Sequence, residues 1–184
     1  IFDVMIHDLD ILLAFVPARV EQVHAVGIPI LSPKVDIASV RLEFANGCVA
    51  NLTASRVSTD KVRKLRLFQP HTYISIDYTR QDVLVISIGK AEAAAARLSG
   101  GKPGTESVRG LPAGLEIRKL ETRPEEPLRA ELRAFGEAVR TRQSGPASGR
   151  EGRRALELAE RVAAGIAEHS RKLPAAVAAS EWRR

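Results

Sequence analysis

Asp3 and His7 stand four residues apart in the opening stretch IFDVMIHDLD. In a helix that spacing puts both side chains on one face, within reach of each other. A carboxylate beside an imidazole fixes the ring tautomer and raises its proton affinity, which is how a general base is made. The same pattern also suits a helix start, where acids sit near the positive end of the dipole and the histidine is a satisfied neighbour. Asp8 and Asp10 add oxygen ligands, so a divalent metal is a second chemistry to weigh. It needs further histidines from other elements. His24 and His71 fall in strand or turn contexts and His169 lies near the C-terminus, so no metal site is expected.

A second group of residues with chemical potential lies between 55 and 69, SRVSTDKVRKLRLFQ, which is dense in cations. Arg56 and Lys61 sit at a junction between two strands and could grip a phosphate; a solvated strand face accounts for the pattern equally well. The sequence contains no G-x-G-x-x-G, no G-x-x-x-x-G-K-[ST] and no G-x-S-x-G. Gly100-Gly101-Lys102-Pro103-Gly104 is glycine-rich, but Pro103 and the lack of a following helix argue against a phosphate cradle.

These residues must be positioned by elements whose periodicity is readable. Phe2, Met5, Ile6, Leu9, Leu12, Leu13 and Val16 recur at spacings of three and four and Pro17 ends them, which predicts a helix over 2–16. The period then becomes two: Val40, Leu42 and Phe44 alternate with Ser39, Arg41 and Glu43. Asn46-Gly47 predicts a tight hairpin with positive φ at both residues, followed by a returning strand over 48–57. Further strands are expected at Val20–Ile28 and at 62–68, 73–78, 83–88 and 115–122. No connection is long enough for a crossover helix, apart from a short helical stretch at 91–97 and a loop at 99–114, so pairing should be antiparallel.

Two helices follow, with apolar stripes Leu128, Leu132, Phe135, Val139 and Leu156, Ala159, Val162, Ala163, Ile166. Ser148 and Glu151 make a capping box for the second. The order predicts an α+β fold, a mostly antiparallel open sheet with helices packed on one face. Residues 1–173 form the domain and 174–184 a tail or docking arm.

The 184 residues are 45% hydrophobic, enough for a core, and a single cysteine, Cys48, excludes an internal disulfide framework. A net charge of +6 invites an anionic partner. However, the 28 Lys and Arg are interspersed with 22 Asp and Glu, and aromatics are 4%, which leaves little to stack on bases. No nucleic acid and no membrane partner are expected, and the compartment should be cytoplasmic. The first helix begins at Ile1 without a capping residue, and the only methionine, Met5, follows Asp3. This predicts that the chain is a piece of a longer protein.

With these residues assembled, the chain resembles the C-terminal domain of the Gfo/Idh/MocA oxidoreductases. The similarity runs through D-x-x-x-H-x-x-D (Asp3, His7, Asp10), F-x-N-G (Phe44, Asn46, Gly47) and the return strand to Ser55. It ends in E-L-x-x-F-x-x-A-V (131–139) and P-x-S-G-x-x-G-x-x-A-L (146–156). The resemblance implies a two-domain enzyme whose N-terminal Rossmann domain, missing from this chain, binds NAD or NADP and supplies a catalytic lysine. It implies that His7 takes the proton from a sugar hydroxyl, that Asp3 orients His7 or contacts the sugar, and that Asp10 belongs to the substrate site. It also implies a homo-oligomer formed through the sheet.

The run 55–69 followed by Y-I-S-I-D-Y (73–78) is similar to members that oxidise the 3-hydroxyl of UDP-N-acetylglucosamine, a step toward a diamino sugar of lipid A. Arg56 and Lys61 would then face the diphosphate. Alone, the 184-residue chain is expected to be inactive. The alternative is a non-catalytic module that uses the same fold only for assembly.

Overall fold

A computed structural model describes residues 5–32, 34–59, 62–88, 115–143, 145 and 148–173. The elements in chain order are α1 (Ile6–Phe15), β1 (Val20–Ile28), β2 (Ile37–Phe44), β3 (Val49–Ser55), β4 (Lys64–Gln69), β5 (Thr72–Asp77), β6 (Asp82–Ile88), β7 (Leu115–Leu120), α2 (Pro127–Thr141) and α3 (Gly149–Lys172). Every described strand pair is antiparallel, as expected. The expected short helix at 91–97, loop at 99–114 and tail at 174–184 lie outside the described residues.

The strands are divided between two sheets, β1-β2-β3 and β4-β5-β6-β7. The chain correspondingly forms two compact units, one from Ile1–Thr59 and Leu132–Arg184, the other from Asp60–Glu131.

In the first unit, register places Gly27, Ala38 and Ala54 in one cross-strand row, Ala25, Val40 and Leu52 in the next, and Val23, Leu42 and Ala50 in a third. Alternate rows share a face, so all nine residues face the same way. The rows between them hold His24, Val26, Ser39, Arg41, Asn51 and Thr53. The apolar face is covered by Met5, Leu9 and Leu12 on and beside α1 and by Leu158, Ala159, Val162 and Ile166 of α3, which form one buried core with Val40, Leu42 and Phe44. Helices therefore pack on one face. Gly27 permits the close approach: a Cβ there would lie 2.8 Å from Val35 Cγ1 and 2.9 Å from Ile166 Cγ2.

The hairpin between β2 and β3 corrects one expectation. Only Gly47 takes positive φ (81°); Asn46 does not. The pair Phe44 N to Cys48 O at 2.9 Å and Gly47 N to Phe44 O at 2.9 Å closes a three-residue loop instead of a two-residue one. Asn46 Oδ1 accepts from Cys48 N at 3.1 Å. The side chain supplies the acceptor, so Asn46 need not adopt the left-handed region.

In the second unit the register gathers Leu65, Leu67, Ile74, Ile76, Val83, Val85 and Leu120 on one face. The opposite face carries Phe68 and Tyr73, with ring centroids 5.1 Å apart, and a charged row. In that row Asp77 receives Lys64 at 3.4 Å and Arg80 at 3.2 Å, and Asp82 receives Lys119 at 3.6 Å. Gln81 ties its turn to the approach to α2: its amide donates to Glu125 O at 2.8 Å and its carbonyl accepts from Glu125 N at 3.0 Å.

Candidate active site

The helix that carries the proposed base is anchored by its apolar side. Met5, Leu9, Leu12 and Val16 recur at spacings of four, three and four and are all buried, which turns His7 outward to an exposed position. Asp10 follows one turn later on the same face as His7 and is half-buried. Helix α1 starts with Met5 in the N-cap position, whose side chain makes no cap hydrogen bond. Asp3 and Lys61 lie outside the described residues.

The structure brings Asp10 together with two residues that the sequence did not connect to it. A cavity of about 220 Å³ is lined by Asp10, Phe15, Glu151 and Arg154, among others, where the second half of α1 meets the first turns of α3. Ser148 caps α3, its hydroxyl accepting from Arg150 N, and bonds the Glu151 carboxylate. The cap is therefore present, with the hydroxyl taking the N–H of Arg150 and not that of Glu151, and the Ser148 hydroxyl holds the Glu151 carboxyl below its ordinary range. Arg56 is not part of this cavity.

Arg56 is exposed at the exit of β3, and its backbone N–H donates to Asp36 O at 2.8 Å. Asp36 is the residue that sequence reasoning missed. It is buried, and its Oδ2 accepts from the backbone N–H groups of Ile30 at 2.9 Å, Leu31 at 2.7 Å and Ser32 at 2.8 Å; its Oδ1 accepts from the Ser32 hydroxyl at 2.9 Å. These donors, led by Ile30 N–H, hold its carboxyl down to about 2. One carboxylate thus folds the β1–β2 loop around itself while its carbonyl fixes the root of Arg56. The signal available was an Asp four residues after a Ser in a Pro-containing loop, the composition of an Asx-type hub.

The cationic run also loses a member to structure. Lys64 is paired with buried Asp77, whose carboxyl is held low chiefly by Arg80 N–H and further by Lys64. An ammonium so engaged is a sheet-fixing group, whereas Arg56, Arg63 and Arg66 of the same run are exposed.

The described residues do not fit a dinucleotide. Such a cofactor is held where a parallel strand runs into a helix through a glycine-rich turn. Here all described pairing is antiparallel and the glycine fingerprint is absent from the sequence. Among the described residues no three His, Cys, Asp or Glu side chains converge as metal ligands, and no helix is long and apolar enough to cross a membrane.

Residues 1–74 match the model of the GFO/IDH/MocA C-terminal domain. The chain is 33% identical over 162 residues to UDP-N-acetylglucosamine 3-dehydrogenase of Acidithiobacillus ferrooxidans, an alignment that takes in 88% of this chain and 47% of that protein. A solved structure of UDP-N-acetylglucosamine 3-dehydrogenase GnnA from that organism is similar with a TM-score of 0.76 and 29% identity, over 90% of this chain and 48% of the other. The fold is shared with levoglucosan dehydrogenase in complex with NADH, at a TM-score of 0.66 and 17% identity over 91% of this chain and 48% of that one. The chain spans about half the length of the relatives it matches.

Proposed function

We propose, on the match of residues 1–74 to the GFO/IDH/MocA C-terminal domain, that the chain is the substrate half of an oxidoreductase acting on a sugar or nucleotide-sugar hydroxyl. The observation that carries this reading is the similarity to a UDP-N-acetylglucosamine 3-dehydrogenase along 88% of the chain. The preferred substrate is accordingly UDP-N-acetylglucosamine, oxidised at the 3-hydroxyl in the cytoplasm. NAD or NADP, the electron acceptor, is held by a part of the enzyme other than the residues described here.

What these residues contribute is the proton acceptor and the substrate contacts. His7, outward-facing on a helix whose other side is locked in the core, takes the hydroxyl proton. Asp3, four residues earlier in the sequence, orients the imidazole. Asp10, on the same face, contacts the sugar, and Arg56 with Lys61 meets the diphosphate. The four-stranded sheet supports homo-oligomerisation: its aliphatic face is half-exposed and its outer strands β4 and β7 have a free edge among the described residues.

The test is NAD(P)H formation by the full-length enzyme on a panel of sugars and UDP-sugars, with His7→Ala beside it. Loss of a general base should lower turnover by about 10²- to 10⁴-fold and leave the melting temperature unchanged, because His7 is exposed. Turnover that survives the substitution removes His7 from its role. Absence of both turnover and dinucleotide binding favours the assembly-module reading.

A further inference from the structure

Helices α2 and α3 carry equally clean apolar stripes, yet they meet different fates. Helix α3 buries Ala155, Leu158, Ala159, Val162 and Ile166; α2 buries nothing. Its stripe is Leu128, Leu132, Phe135 and Val139, 58%, 62%, 68% and 61% exposed. The spacing of four, three and four is that of a helix seam made to be covered. The other side of the helix is polar and carries an Arg140–Glu137 pair at 2.5 Å.

The size of this face says what kind of occupant it suits. Four side chains at these exposures offer roughly 400 Å² of apolar surface, large for a monomer to leave in water. A second copy of α2 laid across it would bury roughly 800 Å² in total, the range of lattice contacts and below that of stable dimers. A segment on the same polypeptide does not lose translational freedom on docking, and interfaces between domains of one chain bury about 600–1,500 Å². The relatives carry as much chain again as this one: their matched portions are 47–48% of their length.

We infer that the stripe of α2 is the docking surface for an apolar face of the cofactor-binding half of the same polypeptide. This rests on the reading that the chain is one half of an oxidoreductase. Docking there makes α2 a strut: Leu132 and Phe135 hold the two halves in the relation that a substrate hydroxyl and a nicotinamide need.

Amide hydrogen exchange tests it, with α3 as the internal control for folding. In the 184-residue chain, α2 amides should exchange about tenfold or more faster than in the full-length enzyme, while α3 amides exchange alike in both. In the full-length enzyme, Leu132→Ser with Phe135→Ser should restore fast exchange to α2 alone; Arg129→Ser, off the stripe, should not. Equal α2 exchange in the two proteins overturns the inference. So does α2 protection in the 184-residue chain that rises with concentration, which identifies a second copy, or that disappears on removal of residues 174–184, which identifies the tail. A gene that encodes no further half overturns it outright. Slow α2 exchange in a full-length protein without dehydrogenase activity keeps the docking surface and removes the functional reading; activity with unprotected α2 does the reverse.

Discussion

The two sheets are built from similar material and end in different states. In β2, Ala38, Val40, Leu42 and Phe44 are all buried. In the four-stranded sheet, Leu65, Leu67, Ile74, Ile76 and Val83 alternate as regularly, yet among its apolar residues only Val85 is buried. The difference is cover. Helices α1 and α3 lie on the first sheet, and their side chains complete a core with it. An amphipathic strand states which face is apolar and leaves open what lies against it. The first sheet explains how α1 is held; the second leaves its aliphatic face half-exposed.

The comparison breaks or sharpens under substitution. Leu42→Ala in the covered sheet should cost about 2–5 kcal/mol, since it leaves a cavity in a close-packed core, measured by urea denaturation with unchanged m. Ile76→Ala in the open sheet, where part of the side chain is already in water, should cost about 1 kcal/mol in dilute solution. If a second copy covers that face, the loss should grow with protein concentration and sizing should show the wild type above monomer mass and the variant shifted toward it. Equal losses at the two positions and all concentrations would erase the distinction between the sheets. Removing the α3 cap with Ser148→Ala should cost about 1 kcal/mol, read as a lower urea midpoint.

Acid titration separates the same regions by their loops. The folded-state carboxyl of Asp36 is held at about 2, below its ordinary value of 3.8. Its stabilising effect is therefore complete above its unfolded value and is lost as pH falls from there through about 2. In Asp36→Asn the acid limb of the stability profile should flatten over that window, and exchange in the 29–35 loop should rise. The root of Arg56 should loosen with it, because Asp36 O accepts from Arg56 N. An unchanged acid limb would show that the loop does not depend on the carboxylate.

Much of the scaffold was legible because its causes are local. The two-residue alternation of 39–44 and the i, i+4, i+7 run of Met5, Leu9 and Leu12 follow from where side chains point along a strand or a helix. The Ser148–Glu151 cap is written within four residues. The Asn46-Gly47 dipeptide marks where the turn lies but not its type, since the Asn46 side chain accepts from Cys48 N and the loop closes over three residues. For the candidate site, the spacing of Asp3 and His7 predicts one shared face, and Asp10 entered as a substrate contact only through the family resemblance. Neither could bring Glu151 and Arg154 to Asp10, because that meeting depends on how α1 and α3 cross.

Local sterics and periodicity thus determined the element types, the antiparallel pairing and the outward aim of His7, all of which need only a few neighbouring residues. Tertiary structure decided which apolar faces are covered, where Lys64 spends its charge, and that Asp36 gathers three N–H groups and a hydroxyl. Burial and electrostatic satisfaction are properties of surfaces brought together from distant segments. Two stripes as alike as those of α2 and α3 can be told apart only by what lies against them.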